Sequence, residues 1–260
     1  MVTSARPAFG ILKDVRCPYL DSPRPLAFAH RGGSAHNPEN SWRAFQHAIG
    51  LGYSYLETDV QATADGILVA FHDKTLDRVT GRPGRIARLP HRDVAAARID
   101  GTEPIPLLED LLGAWPDVRF NIDVKDWPAV RPLAGVLRRT AAWDRVCITS
   151  FSPWRLMATR RALDRPVCMA TSPAGVAAIR FGGPAGSAAQ CAQVPVSVAM
   201  PRFVRRAHQR GLQVHVWTVN DRGLMAAMLD LGVDGIMTDE TVALREVLTA
   251  RGQWHPRQVS

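Results

Sequence analysis

The chain has 260 residues, of which 46% are hydrophobic and 22% are charged, so it can build a sizeable core in one domain or two. Its formal net charge of +8 is compatible with nucleic acid, an anionic membrane surface or a phosphate substrate. The arginines are dispersed and form no long basic block, which favours a solvated surface and argues against a nucleic-acid partner. No apolar run reaches the roughly 18 residues of a membrane span, so at most weak membrane-surface contact is expected.

The four cysteines, at positions 17, 147, 168 and 191, show no C-x-x-C spacing, so the sequence does not predict a zinc site. Cys147 and Cys168 lie in apolar runs where thiols usually serve as packing, and we expect reduced cysteines in a cytoplasmic protein. The N-terminus lacks a continuous apolar stretch, so no secretion signal is predicted.

The first part of the chain predicts short strands that end on ionisable residues. Residues 1–24, which contain several prolines, predict an irregular lead-in that packs across one end of the domain. A strand over 25–29 ends at His30, and Asn40 is a candidate N-cap for a helix that runs to Gly50. A second strand at 53–60 carries Glu57 and Asp59, the turn Ala64-Asp65-Gly66 follows, and I-L-V-A-F leads to His72 and Asp73.

The rest of the chain predicts alternating strands and helices. Weak periodicity over 74–105 indicates a short insertion, placed over the site, and Pro106 begins a helix that ends at Ala114. Strands are then predicted at 119–125, 145–151, 166–171, 193–199, 212–220 and 233–239, and helices at 130–140, 153–163, up to 209, 221–231 and up to 248. Neither a G-x-G-x-x-G nor a G-x-x-x-x-G-K motif is present, so no nucleotide machinery is predicted.

About eight strand–helix units with functional groups at strand ends favour a closed parallel barrel over an open doubly wound sheet. We therefore predict an α/β protein with a single (β/α)₈ TIM-barrel domain over 25–250, followed by a polar, frayed tail at 251–260.

Three acids fall near the ends of these strands. Glu57 and Asp59 alternate with Leu56, Thr58 and Val60, so they share one strand face and would repel each other without a cation. Asp123 lies near the end of the strand at 119–125. Three oxygen donors at one barrel mouth suit one divalent cation, Mg²⁺ or Ca²⁺. The alternative is that the acids are buried and paired with Lys125 and Arg31.

Two histidines differ from the others because each closes a strand. His30 and His72 could donate and accept protons in one turnover, since imidazole titrates near neutrality. Arg31 and Lys125 are candidate phosphate ligands. His215 lies on a strand and is a weaker candidate, whereas Trp217 on the same face either walls a small polyol or fills the barrel.

An ordered set of motifs resembles the glycerophosphodiester phosphodiesterase family, in its compact bacterial form. The set comprises H-R-G (30–32), P-E-N (38–40), E-T-D (57–59), H-D (72–73), D-V-K (123–125), W-T-V-N (217–220) and G-V-D-G-I-M-T-D (232–239). The resemblance spans residues 26–248. It implies a TIM barrel, a divalent metal, a role in glycerol and lipid metabolism, and hydrolysis of glycerophosphodiesters to glycerol 3-phosphate and an alcohol.

By this resemblance, His30 and His72 correspond to an acid/base pair, and Glu57, Asp59 and Asp123 to the metal ligands. Arg31, Glu39 and Lys125 would hold phosphate or organise the site. The chain departs from the family pattern at Asp123, where Glu is usual, and at Thr241, where T-D-x-P usually has proline.

Alternatives remain open. The barrel could be a phospholipase-D-like lyase that acts on a lysolipid or sphingolipid head group, or a silent barrel that binds phosphodiesters or a protein partner. The nucleophile could be water or the substrate's own hydroxyl through a cyclic phosphate. Which histidine is the acid, which head group and ion are used, and the oligomeric state are also open.

Overall fold

Eight parallel strands form a nearly closed barrel in the computed structural model, which describes residues 17–184 and 189–257. The strands of this part of the chain are β1 (Leu26–Ala29), β2 (Tyr55–Ala62), β3 (Leu68–Ala70), β4 (Arg98–Ile99), β5 (Glu103–Pro104), β6 (Arg119–Val124), β7 (Val146–Thr149), β8 (Cys168–Met169), β9 (Cys191–Pro195), β10 (Gln213–Trp217) and β11 (Gly235–Thr238). Around the barrel they pair in the order β8-β7-β6-β2-β1-β11-β10-β9. The predicted (β/α)₈ barrel is therefore confirmed.

The seam between β8 and β9 is the weakest part of the barrel wall. It is bridged by the pair Ala170 and Cys191, just beyond the end of β8. The Thr171 N–H donates to the Cys191 carbonyl at 2.8 Å, and the Gln190 N–H donates to the Met169 carbonyl at 3.0 Å. These few hydrogen bonds close the ring of strands.

Ten α-helices connect the strands within the described residues. They are α1 (Trp42–Gly50), α2 (Asp77–Thr80), α3 (His91–Ala95), α4 (Leu108–Ala114), α5 (Val130–Arg139), α6 (Pro153–Ala162), α7 (Pro173–Phe181), α8 (Pro201–His208), α9 (Arg222–Asp230) and α10 (Thr241–Ala250). Several begin with a side-chain cap: Ser152, Ser172 and Asp221 each accept a hydrogen bond from the N–H three residues on. No helix in the described ranges is long and apolar enough to cross a membrane.

Asn40 does not cap α1, contrary to the prediction. Ser41 is the N-cap, and its side chain accepts from the Ala44 N–H at 3.1 Å. Asn40 has a left-handed backbone (φ 55°), and its buried amide binds two residues of β2 instead. Turn chemistry alone could not separate these two adjacent polar residues, because both are good N-caps.

The core fills the layer between the strands and the surrounding helices. Ile122 and Ile148 on the strands are fully buried, as are Leu111, Leu137 and Leu244 on the helices. Truncating such a side chain to alanine typically removes about 2–5 kcal/mol of stability. This shell holds the strands in register and leaves the carboxyl ends of the strands free to carry function.

Residues 74–105 contain α2, α3 and the short β4–β5 hairpin, which share a small apolar cluster. Leu76, Ile86, Val94 and Ile99 are almost completely buried there, together with Val69 and Phe71 of the preceding segment. Arg85 of this segment lies 3.6 Å from Asp126, which follows β6. The segment therefore packs beside the carboxyl end of the barrel.

The two ends of the described chain pack against the barrel. Tyr19 is buried at the amino end of the barrel, and its carbonyl accepts a hydrogen bond from the Tyr55 hydroxyl at 2.6 Å. Residues 1–16 and 258–260 lie outside the described residues. Residues 251–257 are not frayed as predicted, because Trp254 packs on Tyr53 and Arg257 pairs with Asp117 at 2.6 Å.

Several element boundaries differ from those predicted. The helix expected to begin at Pro106 begins at Leu108, and the Pro106 carbonyl instead accepts from the Ala70 N–H. The strand predicted at 193–199 is Cys191–Pro195, after which the chain turns and the Val198 N–H donates to the Pro195 carbonyl. The apolar alternation of V-P-V-S-V continues through this turn, so it could not mark the strand's end.

Candidate active site

A cavity of about 450 Å³ opens at the carboxyl ends of the barrel strands. Eight of the nine predicted site residues line it; the exception is Glu39. The lining residues are His30, Arg31, Glu57, Asp59, His72, Asn121, Asp123, Lys125, Thr149, Ser150, Phe151, Thr171, Pro173, Val176, Gln193, Pro195, Val198, Trp217, Thr218 and Met237. Sequence positions from 30 to 237 thus converge on one mouth, as parallel strands in a closed barrel require.

His30 lies directly after β1 and is held on both sides by acids. Its Nδ1 lies 2.7 Å from Asp239 Oδ1, and its Nε2 lies 3.8 Å from Glu57 Oε2. Burial alone would lower the pKa of His30, but the charge of Glu57 and the hydrogen bond to Asp239 raise it above its ordinary value. The Asp239 carboxylate accepts a hydrogen bond from Nδ1–H, which leaves Nε2 facing the cavity.

Arg31 joins the loop after β1 to the acids of β2. Its backbone is left-handed (φ 51°), and its main-chain N–H donates to Glu57 Oε2 at 3.0 Å. The guanidinium Nε lies 3.2 Å from Asp59 Oδ2, and Nη1 lies 3.2 Å from each carboxylate oxygen of Glu39. Gly32 permits this turn, because a Cβ there would lie 2.8 Å from the Cβ of Ala44.

Asp59 is almost fully buried and binds three donors. Lys125 Nζ lies 2.9 Å from Oδ1, while Arg31 Nε and the Asn40 side-chain amide approach Oδ2. Burial raises the pKa of Asp59, but Lys125 and Arg31 outweigh it and lower the pKa below its ordinary value. Asp59 is therefore charged, and its orientation is fixed by Asn40, a residue for which sequence reasoning predicted a different role.

Glu57 and Asp123 are also buried, but nearby cations offset the cost of their burial less than they do for Asp59. Burial first, and then the nearby Asp59, raise the pKa of Glu57 to about 7. Burial also raises the pKa of Asp123, although Lys125 Nζ lies 2.7 Å from its Oδ2. The other oxygen of Asp123, Oδ1, is buried and has no hydrogen-bond partner among the described residues.

The site carries the donor types that a hard divalent cation prefers, and the unpartnered Asp123 Oδ1 offers a further ligand atom. Within the described residues, however, the three carboxylates do not bring one oxygen each within 4.8 Å of one another. Lys125 Nζ lies between Asp59 and Asp123. The donor set thus fits a divalent cation in charge and chemistry, while Lys125 and Arg31 pair with its acids, as the alternative interpretation of the sequence expected.

His72 is supported by a chain of ion pairs at the rim. Its Nδ1 lies 2.6 Å from Asp73 Oδ1, while Arg78 from α2 bonds the second oxygen of Asp73 at 2.5 Å. Arg78 also binds Glu39 at 2.6 and 3.0 Å. Glu39 therefore links Arg31 to Arg78, which makes it an organising residue that lies outside the cavity lining.

The opposite wall of the cavity is apolar and aromatic. Phe151 packs edge-on to Trp217, with ring centroids 5.6 Å apart, and Lys125 Nζ lies 5.4 Å from the Phe151 ring centre. Trp217 thus lines the cavity, a position that its predicted role as an apolar wall for a small polyol requires. His215, two residues earlier on β10, is fully buried below the cavity and packs 4.9 Å from Phe28, so it does not take part in this site.

Sequence reasoning assigned no role to several residues that support the site. Asp239 stands in the last quoted motif, yet no spacing rule joins it to His30, 209 positions away. Asn121 and Gln193 form the cavity floor, where the Gln193 side-chain amide donates to Asn121 Oδ1 at 2.7 Å. Both are inward-facing strand residues, a signal that the alternation of β6 and β9 would have supplied.

The model of the glycerophosphoryl diester phosphodiesterase family matches residues 30–243, which include all nine predicted site residues. The chain belongs to this family. The match confirms the resemblance drawn from the motifs and the enzyme class it implied.

Relatives with named functions match most of the length of this chain. It is 42% identical over 244 residues to "Probable glycerophosphodiester phosphodiesterase 2" of Mycobacterium tuberculosis, covering 88% of this chain and 92% of that one. It is 26% identical over 266 residues to "Lysophospholipase D GDPD1" of Homo sapiens, covering 85% of each chain.

Solved structures share the fold. A glycerophosphodiester phosphodiesterase from Agrobacterium tumefaciens superposes with a TM-score of 0.78 at 21% identity, covering 86% of this chain and 99% of that chain. An Oleispira antarctica phosphodiesterase in complex with the product sn-glycerol-3-phosphate gives 0.77 at 21% identity, covering 87% and 97%. At these identities the likeness shows the barrel fold.

Proposed function

We propose that this phosphodiesterase hydrolyses glycerophosphodiesters to sn-glycerol 3-phosphate and an alcohol, with one divalent cation and two histidines. The observation that carries the proposal is the convergence of His30 and His72 with three carboxylates, Arg31 and Lys125 in one cavity. The product named in the complex of the Oleispira antarctica relative supports this substrate class.

Glu57, Asp59 and Asp123 would hold the cation, Mg²⁺ or Ca²⁺, because carboxylate oxygens are the ligands these ions prefer. When bound, such an ion supplies Lewis acidity, which neutralises phosphate charge and lowers the pKa of a coordinated hydroxyl. Asp123 is one methylene shorter than the glutamate usual in the family. We therefore expect it to hold the ion less tightly than glutamate would.

The two imidazoles have matching arrangements for proton transfer. Asp239 accepts from Nδ1 of His30 and Asp73 accepts from Nδ1 of His72, a tautomer assigned from the hydrogen-bond partners. Nε2 is then the exchangeable position on each ring. One ring removes a proton from the nucleophile and the other donates a proton to the leaving alcohol.

Arg31 and Lys125 would stabilise the negative charge that develops on the phosphoryl oxygens. Both are mostly buried and held by carboxylates, Arg31 by Glu39 and Asp59 and Lys125 by Asp59 and Asp123. Cations that are fixed before the substrate arrives need little reorganisation, which is the main source of electrostatic catalysis.

A test compares purified His30→Ala and His72→Ala with His255→Ala, a control that removes an exposed histidine outside the cavity. Glycerol 3-phosphate release from glycerophosphocholine should fall about 10²–10⁴-fold in each cavity variant and remain unchanged in the control. Circular dichroism establishes that the variants are folded. A folded cavity variant with near-normal turnover would overturn the histidine assignment.

A second candidate substrate is a lysophospholipid, and exposed apolar side chains at the carboxyl end of the barrel favour it. Phe151 after β7, Trp127 after β6 and Met200 before α8 are each more than half exposed at the carboxyl end of the barrel. The human relative is named a lysophospholipase D, which implies a lysophospholipid substrate for that protein. The acyl chain of a lysophospholipid could pack on these side chains, whereas a glycerophosphodiester has no acyl chain to do so.

The two substrates can be separated with one variant. Phe151→Ser should lower turnover of lysophosphatidylcholine at least tenfold more than turnover of glycerophosphocholine if the rim binds an acyl chain. Trp154→Ser, at an exposed aromatic of α6 that does not line the cavity, is the control. Equal effects of Phe151→Ser on both substrates would reject the lysophospholipid.

Phosphorus NMR of the reaction products distinguishes a hydrolase from a lyase, since a lyase would give a cyclic phosphate as the final product.

A further inference from the structure

Three cysteines from different strands meet under the floor of the catalytic cavity. Cys147 lies on β7, Cys168 on β8 and Cys191 on β9, and all three are buried. Their sulfur atoms all lie within 4.8 Å of one another, and the Sγ atoms of Cys147 and Cys191 are 3.8 Å apart. Sequence spacing gave no sign of this cluster, because barrel closure rather than a local motif brings the thiols together.

The sulfur separations match those of a metal–thiolate site. A zinc–sulfur bond of about 2.3 Å places the sulfurs of a tetrahedral site roughly 3.8 Å apart. The Cys147–Cys191 distance already has this value, and the Cys168 sulfur lies within 4.8 Å of both. Thiolates select soft or borderline ions, so the cavity's oxygen donors and this cluster would bind different metals.

A fourth cysteine, Cys17, lies next to Cys168, although its sulfur does not lie within 4.8 Å of all three sulfurs of the cluster. Cys17 caps the short turn Pro18–Leu20, which crosses the amino end of the barrel, and it is only partly buried. A hydrogen bond with Cys168 is the main reason that the pKa of Cys17 lies below its ordinary value. Cys17 is partly exposed, whereas the other three cysteines are buried.

Buried polar groups beside the cluster have no partner among the described residues. They are the Tyr19 hydroxyl and His215 Nδ1, on side chains that are about 1% and 0% exposed. His215 Nε2 lies 3.2 Å from Gln213 Oε1, and the ring lies beside Cys191. Unpartnered buried polar atoms are rare in folded proteins and call for an explanation, such as a bound ion.

The cluster is also placed to accept hydrogen bonds as bound thiolates do. The Gln193 side-chain amide lies 3.9 Å from Cys191 Sγ and 4.0 Å from Cys147 Sγ. The same amide donates to Asn121 on the cavity floor. Such outer contacts commonly orient metal ligands, and here they connect the cluster to the floor of the active site.

We propose that Cys147, Cys168 and Cys191, together with Cys17, bind a Zn²⁺ ion that is distinct from the catalytic cation. The site is structural, because four cysteine ligands leave no open position for substrate. It ties the lead-in turn to three neighbouring strands, including the seam between β8 and β9 that is closed by few hydrogen bonds. On binding, the thiols release their protons to solvent as the metal–sulfur bonds form.

The test uses cobalt as a spectroscopic substitute for zinc in the full-length, reduced protein. Glu57→Gln combined with Asp59→Asn removes two ligands of the catalytic cation, so the remaining site is observed alone. This variant should retain one Zn²⁺ per chain by elemental analysis. Titration with Co²⁺ should produce a near-ultraviolet thiolate-to-cobalt charge-transfer band, which oxygen ligands cannot give.

Two further variants assign the ligands. Cys147→Ala should abolish the band, and Cys17→Ser, on the partly exposed turn, should weaken zinc binding at least tenfold while the protein stays folded. Should Cys147→Ala fail to fold, Cys17→Ser carries the test. A folded, reduced protein with no charge-transfer band at saturating Co²⁺ would overturn the proposal, and so would unchanged zinc affinity in Cys17→Ser.

Discussion

The His30 imidazole Nδ1 lies 2.7 Å from Asp239 Oδ1, although the two residues are 209 positions apart in the chain. The contact forms because β1 and β11 are adjacent parallel strands, paired from Leu26–Gly235 to Ala29–Thr238. Each residue directly follows its strand, so strand register fixes their approach. The orientation of one histidine of the active site therefore depends on closure of the barrel.

Asp239→Asn should reveal this contact through the pH dependence of stability. Burial raises the pKa of Asp239, but the His30 hydrogen bond and charge outweigh it and lower the pKa to about 2. A carboxylate with a lowered pKa stabilises the fold above its unfolded pKa of about 3.9, and this contribution is lost as pH falls towards 2. Because Asp239 is partly exposed, solvent screening reduces this contribution, and the free energy of unfolding of the wild type should exceed that of Asp239→Asn by roughly 1–2 kcal/mol near pH 5.

Urea denaturation at pH 5 and at pH 2.5 measures the difference. The advantage of the wild type should shrink at the lower pH, because the unfolded chain is then almost fully protonated at Asp239 and the folded state begins to take up the same proton. Asp221→Asn changes a helix cap away from the cavity and serves as the control. An advantage that is the same at both pH values would contradict a charged Asp239 that stabilises the fold.

Asp123→Glu should strengthen cation binding. The added methylene lengthens the reach of the carboxylate at this position, and the three acids do not bring one oxygen each within 4.8 Å of one another in the described residues. We expect roughly tenfold tighter binding of Mg²⁺ or Ca²⁺, measured by calorimetric titration. Asp164→Glu, at a surface ion pair with Arg138, should bind the cation as the wild type does. Weaker or unchanged binding in Asp123→Glu would argue against Asp123 as a ligand.

Gly32→Ala should disrupt the loop that carries His30 and Arg31. The residue has φ +84°, and an added Cβ would lie 2.9 Å from backbone atoms of Ala44 and Phe45, which cannot move aside as a flexible side chain can. We expect a loss of about 2–4 kcal/mol of stability. Thermal and chemical denaturation check this value.

Gly50→Ala is the matched control for that substitution. Gly50 is the last residue of α1, and an added Cβ there meets no atom within 4 Å. It should stabilise the protein by about 0.4–1 kcal/mol, because alanine restricts the unfolded chain. Equal effects of the two substitutions would show that the turn at Gly32 is not tightly packed.

The barrel and most of the site were predictable because they depend on local patterns. Alternation along β2 placed Glu57 and Asp59 on one face, and parallel strands bring their carboxyl ends to one mouth. The same logic placed Asp123 and Lys125 together, and the structure has the Lys125 ammonium 2.7 Å from Asp123. Once a strand is predicted, the position of the residues at its carboxyl end is therefore predicted as well.

Residues whose role depends on long-range partners were not predictable in this way. Asn40 and Ser41 are equally good helix caps by composition, and only the position of Asp59 shows that Asn40 binds it. The cysteines at 147, 168 and 191 meet because strand order and register place them together, which no spacing rule contains. Local propensity also misplaced the end of β9, where Pro195 precedes a turn.

The most direct test of cation-dependent phosphodiester hydrolysis is a phosphorus NMR time course with glycerophosphocholine. The protein is first stripped with EDTA and then supplied with Mg²⁺, Ca²⁺ or Mn²⁺ in separate samples. The account predicts that the diester signal is stable in EDTA and converts to sn-glycerol 3-phosphate when at least one cation is added. Full conversion in EDTA, or no conversion by folded protein with any of the three cations, would contradict it.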